Sequence, residues 1–130
     1  MTSAEAKTRI LVVEDNAAVR EIAVKQLRQI GFDVVAAGEA DAALAMLAAD
    51  PDIRLLFTDI VMPGPMTGDA LARRARQVRP GLKVLLTTGY AEGAFRSRPT
   101  PIDTEGFSLL RKPYRRPELE RRIREVLESA

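Results

Sequence analysis

Residues 54–63 read RLLFTDIVMP, an apolar run that ends on a lone carboxylate, Asp59, and continues into a proline-containing loop. A short run of apolar residues bounded by turn signals predicts a buried strand, here Arg54–Thr58. The loop Met62–Gly68 holds two prolines and two glycines, which exclude a regular element there. The sequence therefore places Asp59 at the carboxyl end of a strand.

Outward from this strand, strand patterns alternate with helix patterns. Four further strands are predicted at Arg9–Glu14, Phe32–Ala36, Lys83–Thr87 and Phe107–Arg111. Apolar residues at helical spacing predict inward faces at Val19, Ile22, Ala23, Leu27 and Ile30, at Ala40, Ala43, Leu44 and Leu47, at Leu71, Ala75 and Val78, and at Leu119, Ile123, Val126 and Leu127. Residues 91–106 contain two prolines and predict only a short helix plus loop.

Residues typical of helix ends support these boundaries. Asp15 and Asn16 are N-cap residue types, and Gly31 stands where a glycine commonly ends a helix. Asp50-Pro51-Asp52 and Arg79-Pro80-Gly81 end the next two helices. Pro117 is favoured in a first turn and opens the last helix.

Such an alternation predicts an α/β domain with a parallel sheet covered by helices on both faces. Ligands of these sheets bind beyond the carboxyl ends of the strands, near the point where the strand order reverses. The residues predicted at those ends are Glu14-Asp15, Asp59, Thr87-Thr88 and Lys112.

Composition restricts the chemistry open to this edge. The 130 residues suit one domain, with a core at about residues 8–128 and no output domain. Cysteine and histidine are both absent, which excludes disulfides, thiolate chemistry, histidine proton shuttles and soft-metal sites. No apolar run is long enough to span a bilayer, and MTSAEAKTRI lacks a signal-peptide core, so we expect a cytoplasmic protein.

The charge is concentrated at one end, where residues 111–130 carry seven Lys or Arg and four Glu. A basic helix is a candidate surface for an acidic partner or nucleic acid. Glu and Arg are interleaved along it, however, which is typical of a solvated face. No nucleic-acid-binding motif accompanies it. We therefore expect no nucleic acid and no membrane among the partners.

Three acids, one or two hydroxyls and a lysine are thus predicted to converge. Crowded carboxylates repel one another, and Mg²⁺, which prefers oxygen ligands, relieves that repulsion. A metal ion and an ammonium beside a carboxylate favour phosphoryl transfer, with the carboxylate as nucleophile. Asp59 stands alone and is the expected nucleophile, whereas Glu14 and Asp15 form a metal-holding pair.

The four strand ends resemble those of the receiver domains of two-component signalling proteins, the CheY-like superfamily of response regulators. The motifs are ILVVEDN, FTDIVMP, LLTTGY and LLRKPY, in the order that the family carries them. The resemblance implies a flavodoxin-like doubly wound (βα)5 fold with strand order 2-1-3-4-5. It also implies a cis bond between Lys112 and Pro113.

The resemblance implies a role for each site residue. Asp59 accepts the phosphoryl group, Thr88 supplies the switch hydroxyl with Thr87 as the register alternative, and Lys112 pairs with the phosphoryl oxygens. The Mg²⁺ ligands are Glu14, Asp15, Asp59 and the backbone carbonyl of Val61.

Three features depart from the family. The loop MPGPMTG is one residue longer than the common form, a variant similar to receivers that work with hybrid sensor kinases. Leu109 replaces an aromatic residue that reports phosphorylation, and Tyr90 is a candidate substitute. Residues 96–103 replace much of a fourth helix, either as a segment that phosphorylation orders or, as we favour, as a flexible loop.

The function implied is a stoichiometric phosphoacceptor in a phosphorelay, not an enzyme. Its donor is a histidine kinase or a histidine phosphotransfer protein, because the chain has no histidine of its own. We expect a monomer or weak dimer. A receiver excised from a hybrid histidine kinase and a non-phosphorylated pseudo-receiver are the alternatives. An aspartate-based phosphatase needs a second acid where this chain has Val61.

Overall fold

The computed structural model describes residues 7–62, 66–89 and 106–129, and five strands and four helices lie within them. The strands are β1 Arg9–Val13, β2 Asp33–Ala37, β3 Ile53–Asp59, β4 Lys83–Thr88 and β5 Ser108–Arg111. The helices are α1 Ala17–Ile30, α2 Ala40–Ala49, α3 Gly68–Val78 and α4 Arg116–Glu128. The predicted strands therefore agree with the structure to within one residue at each end.

All strand pairs are parallel, and the sheet order is β2-β1-β3-β4-β5. The predicted flavodoxin-like topology is confirmed. β1 and β3 lie at the centre, and the strand order reverses between them. Val13 is paired with Thr58, and Asp59 with Thr87, so the ends of β1, β3 and β4 lie side by side.

Alternating strand residues form two cores on opposite faces of the sheet. One face packs against α2 and α3 and contains Leu11, Val13, Leu56, Val84 and Leu86. The other packs against α1 and α4 and contains Ile10, Val12, Leu55, Phe57, Leu85 and Leu110. Both faces are buried, as predicted for parallel strands that read as continuous apolar runs.

The helix ends follow from local chemistry. The side chain of Asn16, and not that of Asp15, caps α1 by accepting a hydrogen bond from the Val19 amide at 3.0 Å. Gly31 ends the helix with φ at 119°, a left-handed conformation that favours glycine. Pro117 lies in the first turn of α4, as predicted. The Lys112-Pro113 peptide bond is cis, as the resemblance implies.

For three residues the predicted core-facing position is wrong. Val19, Ile22 and Val78 are 40%, 59% and 49% exposed. Val19 lies in the first turn of α1, and Val78 is the last residue of α3, so both stand at helix ends. Ile22 lies on the flank of α1, because the buried face is centred on Ala23 and Leu27. Helical periodicity alone therefore predicted an apolar face that is wider than the face that α1 and α3 bury.

The amino ends of the strands carry a separate polar network. Arg9 donates to Asp33 at 2.6 Å and to Asp50 at 2.8 Å. Arg79, which ends α3, donates to the carbonyls of Ile53 at 2.6 Å, Asp50 at 2.8 Å, and Leu47. One guanidinium thus ties the end of α2 to the start of β3.

Candidate functional site

Because side chains alternate between the two faces of a strand, four of the predicted site residues lie on the same face of the sheet. Glu14 continues the alternation of Ile10 and Val12, and Asp59 continues that of Leu55 and Phe57. By the same rule Thr87 follows Leu85, and Lys112 follows Leu110. These four residues therefore face the α1 and α4 side at the carboxyl edge. Thr88 follows Val84 and Leu86, on the opposite side.

Asp59 is held by a donor on each carboxylate oxygen. The Thr87 hydroxyl lies 3.2 Å from Oδ1, and Lys112 Nζ lies 3.2 Å from Oδ2. The carboxylate is partly buried, with 19% of its side chain exposed, and so remains open to a reactant. The carboxylate is therefore oriented and charge-paired while one side stays accessible.

Backbone hydrogen bonds fix this edge. The Ile60 amide donates to the Thr87 carbonyl at 3.1 Å, and the Lys112 amide donates to that of Thr88 at 2.6 Å. Gly68 donates to the Ile60 carbonyl at 2.7 Å. A Cβ on Gly68 would lie 2.0 Å from the Asp59 carbonyl oxygen, so only glycine allows α3 to start here.

Glu14 is the most strongly buried acid of the site, at 8% exposed. Oε2 accepts from the Asn16 amide at 3.2 Å, and Oε1 lies 3.7 Å from Lys112 Nζ. Burial raises the pKa of Glu14, and the neighbouring acids Asp15 and Asp59 raise it further, against the opposing effects of the Asn16 amide and Lys112. Glu14 and Asp59 thus share one ammonium, which leaves negative charge uncompensated.

The same residues can be tested as a metal site. In the part of the chain that the structure describes, no three acidic side chains form a ready-made cage for a metal ion. Asp15 is exposed, and Val61 is half-buried in the loop after β3. The carboxylates of Glu14, Asp15 and Asp59 are nevertheless hard oxygen donors, and they outnumber the lysine. They fit a hard divalent cation in donor type and in charge.

Tyr114 is a site residue that sequence reasoning did not assign. Its ring packs edge-on against Phe57 with centroids 6.3 Å apart, and it lines a small cavity with Glu14, Asp59 and Lys112. Burial, assisted by the charges of Glu14 and Asp59, raises the pKa of Tyr114 to about 12. The phenol therefore stays protonated beside the carboxylates. Its position directly after Lys112-Pro113 was the available signal.

The predictions for the switch hydroxyl and for the residues that accompany it have different outcomes. The hydroxyl in contact with Asp59 is that of Thr87, the register alternative, and Thr88 is buried on the other side of the strand. The role of Thr88 toward a phosphoryl group stays a prediction. Leu109 is 38% exposed on β5. Tyr90 and residues 96–103 lie outside the described residues, so the predictions that concern them stay open.

A flavodoxin-like sheet with acids and a lysine at its carboxyl edge defines the class of CheY-like receivers. The model of the response regulator receiver domain matches residues 10–124. The chain belongs to that family, which works in two-component systems.

Two curated relatives and one solved structure show where such domains occur. The response regulator receiver protein CpdR of Brucella abortus is 37% identical over 94% of this chain and 98% of its own length. The sensor kinase CckA of the same organism is 34% identical over 98% of this chain, which spans 13% of that kinase. The crystal structure of the receiver domain from the hybrid histidine kinase CckA has a TM-score of 0.74, at 30% identity over 92% of this chain and 99% of that one.

In the described residues no helix is long and apolar enough to cross a membrane.

Proposed function

We propose that this receiver accepts a phosphoryl group on Asp59 from a phosphohistidine of a histidine kinase or histidine phosphotransfer protein, in the cytoplasm. The observation that carries the proposal is the pair of donors on Asp59, Thr87 on Oδ1 and Lys112 on Oδ2. A carboxylate oriented in this way at an exposed edge is a nucleophile with a cation ready for the incoming phosphoryl oxygens.

The transfer itself needs few groups. A carboxylate oxygen of Asp59 attacks phosphorus, an O–P bond forms, and the P–N bond to the donor imidazole breaks with its electrons remaining on nitrogen. Lys112 stabilises the negative charge on the phosphoryl oxygens. A threonine hydroxyl at the end of β4 is proposed to donate to one of those oxygens: the family resemblance implies Thr88, whereas the contact with Asp59 favours Thr87. One phosphoryl group is taken up per chain, so the domain is a phosphoacceptor and not an enzyme.

We also propose that the site works with Mg²⁺. Glu14, Asp15 and Asp59, with the carbonyl of Val61, would hold the ion. When bound it supplies positive charge that lowers the repulsion between the acids and the phosphoryl group. The excess of carboxylates over lysine and the raised pKa of Glu14 support this part of the proposal.

Two settings are compatible with this chemistry. The similarity to CpdR, a response regulator receiver protein, supports a free-standing receiver that binds a partner or passes the phosphoryl group on. The match within CckA favours a receiver that forms part of a hybrid kinase. We favour the first, because the identity to CpdR, 37%, exceeds the 34% identity to CckA.

The test is phosphorylation by a small donor. The protein is incubated with acetyl phosphate or phosphoramidate, with MgCl₂ or with EDTA, and its intact mass is measured. We expect a gain of one phosphoryl group in the wild type with MgCl₂, and no gain in Asp59→Asn or with EDTA. Asp52→Asn, an exposed acid at the other end of β3, is the matched control and should behave as the wild type. No gain in the wild type would indicate a pseudo-receiver.

A further inference from the structure

We propose that Arg20 is a positioning residue that holds the Glu14-Asp15 segment in the conformation that binds the metal ion. Arg20 lies in the second turn of α1, and its side chain reaches back over the start of the helix. Nη1 donates to the backbone carbonyl of Glu14 at 2.8 Å. This inference rests on the proposed Mg²⁺-dependent function, because it concerns the same pair of acids.

The backbone of Glu14 has few other attachments. The Glu14 amide donates to the Ala37 carbonyl at 3.2 Å, which fixes the residue on the side of β2. Its carbonyl is fixed by Arg20 alone among the contacts that the structure describes. Amide and carbonyl are thus held from two directions, and the carboxylate projects from the backbone between them. Loss of either bond frees rotation of the peptide that carries the site's most buried acid.

Gly38 provides space for this arrangement. It follows β2, and a Cβ at this position would lie 3.0 Å from Arg20 Nη1. The guanidinium therefore lies against the backbone where β2 ends, in the space that the missing side chain leaves. Arg20 is accordingly half-buried.

The sign of the effect separates positioning from electrostatics. A positive charge beside a cation site repels the cation, so removing Arg20 should tighten Mg²⁺ binding if charge alone mattered. If Arg20 instead holds the ligand backbone in place, removing it should weaken binding. Loss of a hydrogen bond that orients a metal ligand typically costs affinity tenfold or more. The two roles therefore predict opposite changes in the same measurement.

The experiment is a calorimetric titration of the whole protein with MgCl₂ alone. Arg20→Ala is compared with Arg28→Ala, a matched control on the same helix whose Nη2 donates to a backbone carbonyl, that of Val34, at 3.3 Å. We expect the Mg²⁺ dissociation constant to rise about tenfold in Arg20→Ala. We expect it to stay within about twofold of the wild type in Arg28→Ala. With acetyl phosphate, half-saturating Mg²⁺ should rise equally, with little change in the rate at saturating Mg²⁺.

Each outcome bears on the inference. Unchanged or tighter binding in Arg20→Ala would overturn it, and so would equal weakening in both variants, which would indicate general loosening of α1. If Arg20→Ala does not fold, Arg20→Met is measured instead, because it keeps the unbranched apolar stem but removes the donor to the Glu14 carbonyl. Weaker binding in that variant supports the inference, and unchanged binding overturns it. A wild type that binds no Mg²⁺ would instead contradict the metal dependence of the proposed function.

Discussion

The two edges of the sheet both carry acids and a cation, but their charges are balanced in opposite ways. At the amino edge, Arg9 lies between Asp33 and Asp50. The hydrogen bonds that Arg9 donates to these carboxylates raise the pKa of Arg9, and the hydrogen bond from the Asp52 amide, together with Arg9, lowers the pKa of Asp50. Arg9 and Asp50 are therefore both stabilised in their ionised forms.

At the carboxyl edge the negative charges of the carboxylates are not balanced by an equal number of cations. Glu14 and Asp59 share a single ammonium, that of Lys112, while Asp15 beside them is exposed, and burial raises the pKa of Glu14. Burying these carboxylates disfavours their ionised forms in the unliganded domain, and a cation can relieve that cost. The comparison favours a structural role for the amino edge and, on the proposed function, a chemical role for the carboxyl edge. Substitutions at the two edges should therefore affect different properties.

The largest effect is expected at the amino edge. Arg79→Ala removes a guanidinium that donates to the carbonyls of Leu47, Asp50 and Ile53, and it leaves them without these donors. We expect a loss of about 3 kcal/mol in the free energy of unfolding, measured by urea denaturation. Phosphorylation of the folded fraction should remain. A variant as stable as the wild type would show that these bonds are replaced by water at no cost.

The reverse pattern is expected for Lys112→Ala. This variant removes the only cation that contacts both Glu14 and Asp59 in the described residues. The initial rate of phosphorylation by acetyl phosphate should fall roughly a hundredfold, because an electrostatic partner of the transferred group is lost. Lys83→Ala removes a lysine at the amino end of β4 and serves as the control. A rate within twofold of the wild type would contradict the role of Lys112.

The sequence predicted which residues meet at the carboxyl edge because the end of each strand can be recognised from its apolar run. Asp59 and Lys112 follow apolar runs directly, and parallel strands bring such ends together. The sheet order came from the resemblance and not from periodicity. The acids could therefore be named without knowing which atoms touch.

The sequence did not predict which way individual side chains point or where the packed surfaces end. Val19 and Ile22 fit the helical spacing of a core stripe yet are exposed, since spacing does not reveal where the sheet ends. Thr87 and Thr88 are adjacent and chemically alike, and only strand parity shows which one meets Asp59. Arg20 was not recognised because its contact is with a backbone carbonyl, to which side-chain motifs give no clue.

The two threonines offer a matched pair within the carboxyl edge. Thr87→Val removes the donor on Asp59 Oδ1, whereas Thr88→Val removes an equally buried hydroxyl on the other side of β4. One hydrogen bond is worth about 1 kcal/mol, so Thr87→Val should lower the rate of phosphorylation about fivefold. Thr88→Val should change it less. The opposite ranking, measured with acetyl phosphate, would return the leading role to Thr88, as the family resemblance implies.

The smallest effect concerns stability without Mg²⁺ and compares the edges directly. The raised pKa of Glu14 means that its protonated form stabilises the fold below the ordinary value of 4.5, and that this contribution is lost as pH rises through the folded-state pKa. Glu14→Gln has no carboxylate to ionise, so it does not lose this stability as pH rises. Its melting temperature at pH 7 should therefore exceed that of the wild type by about 2 °C, and the difference should shrink at pH 4. Asp50, whose pKa is lowered, contributes stability above 3.8 that is lost as pH falls. Asp50→Asn should therefore melt below the wild type at pH 7, and two shifts of the same sign would contradict the contrast between the edges.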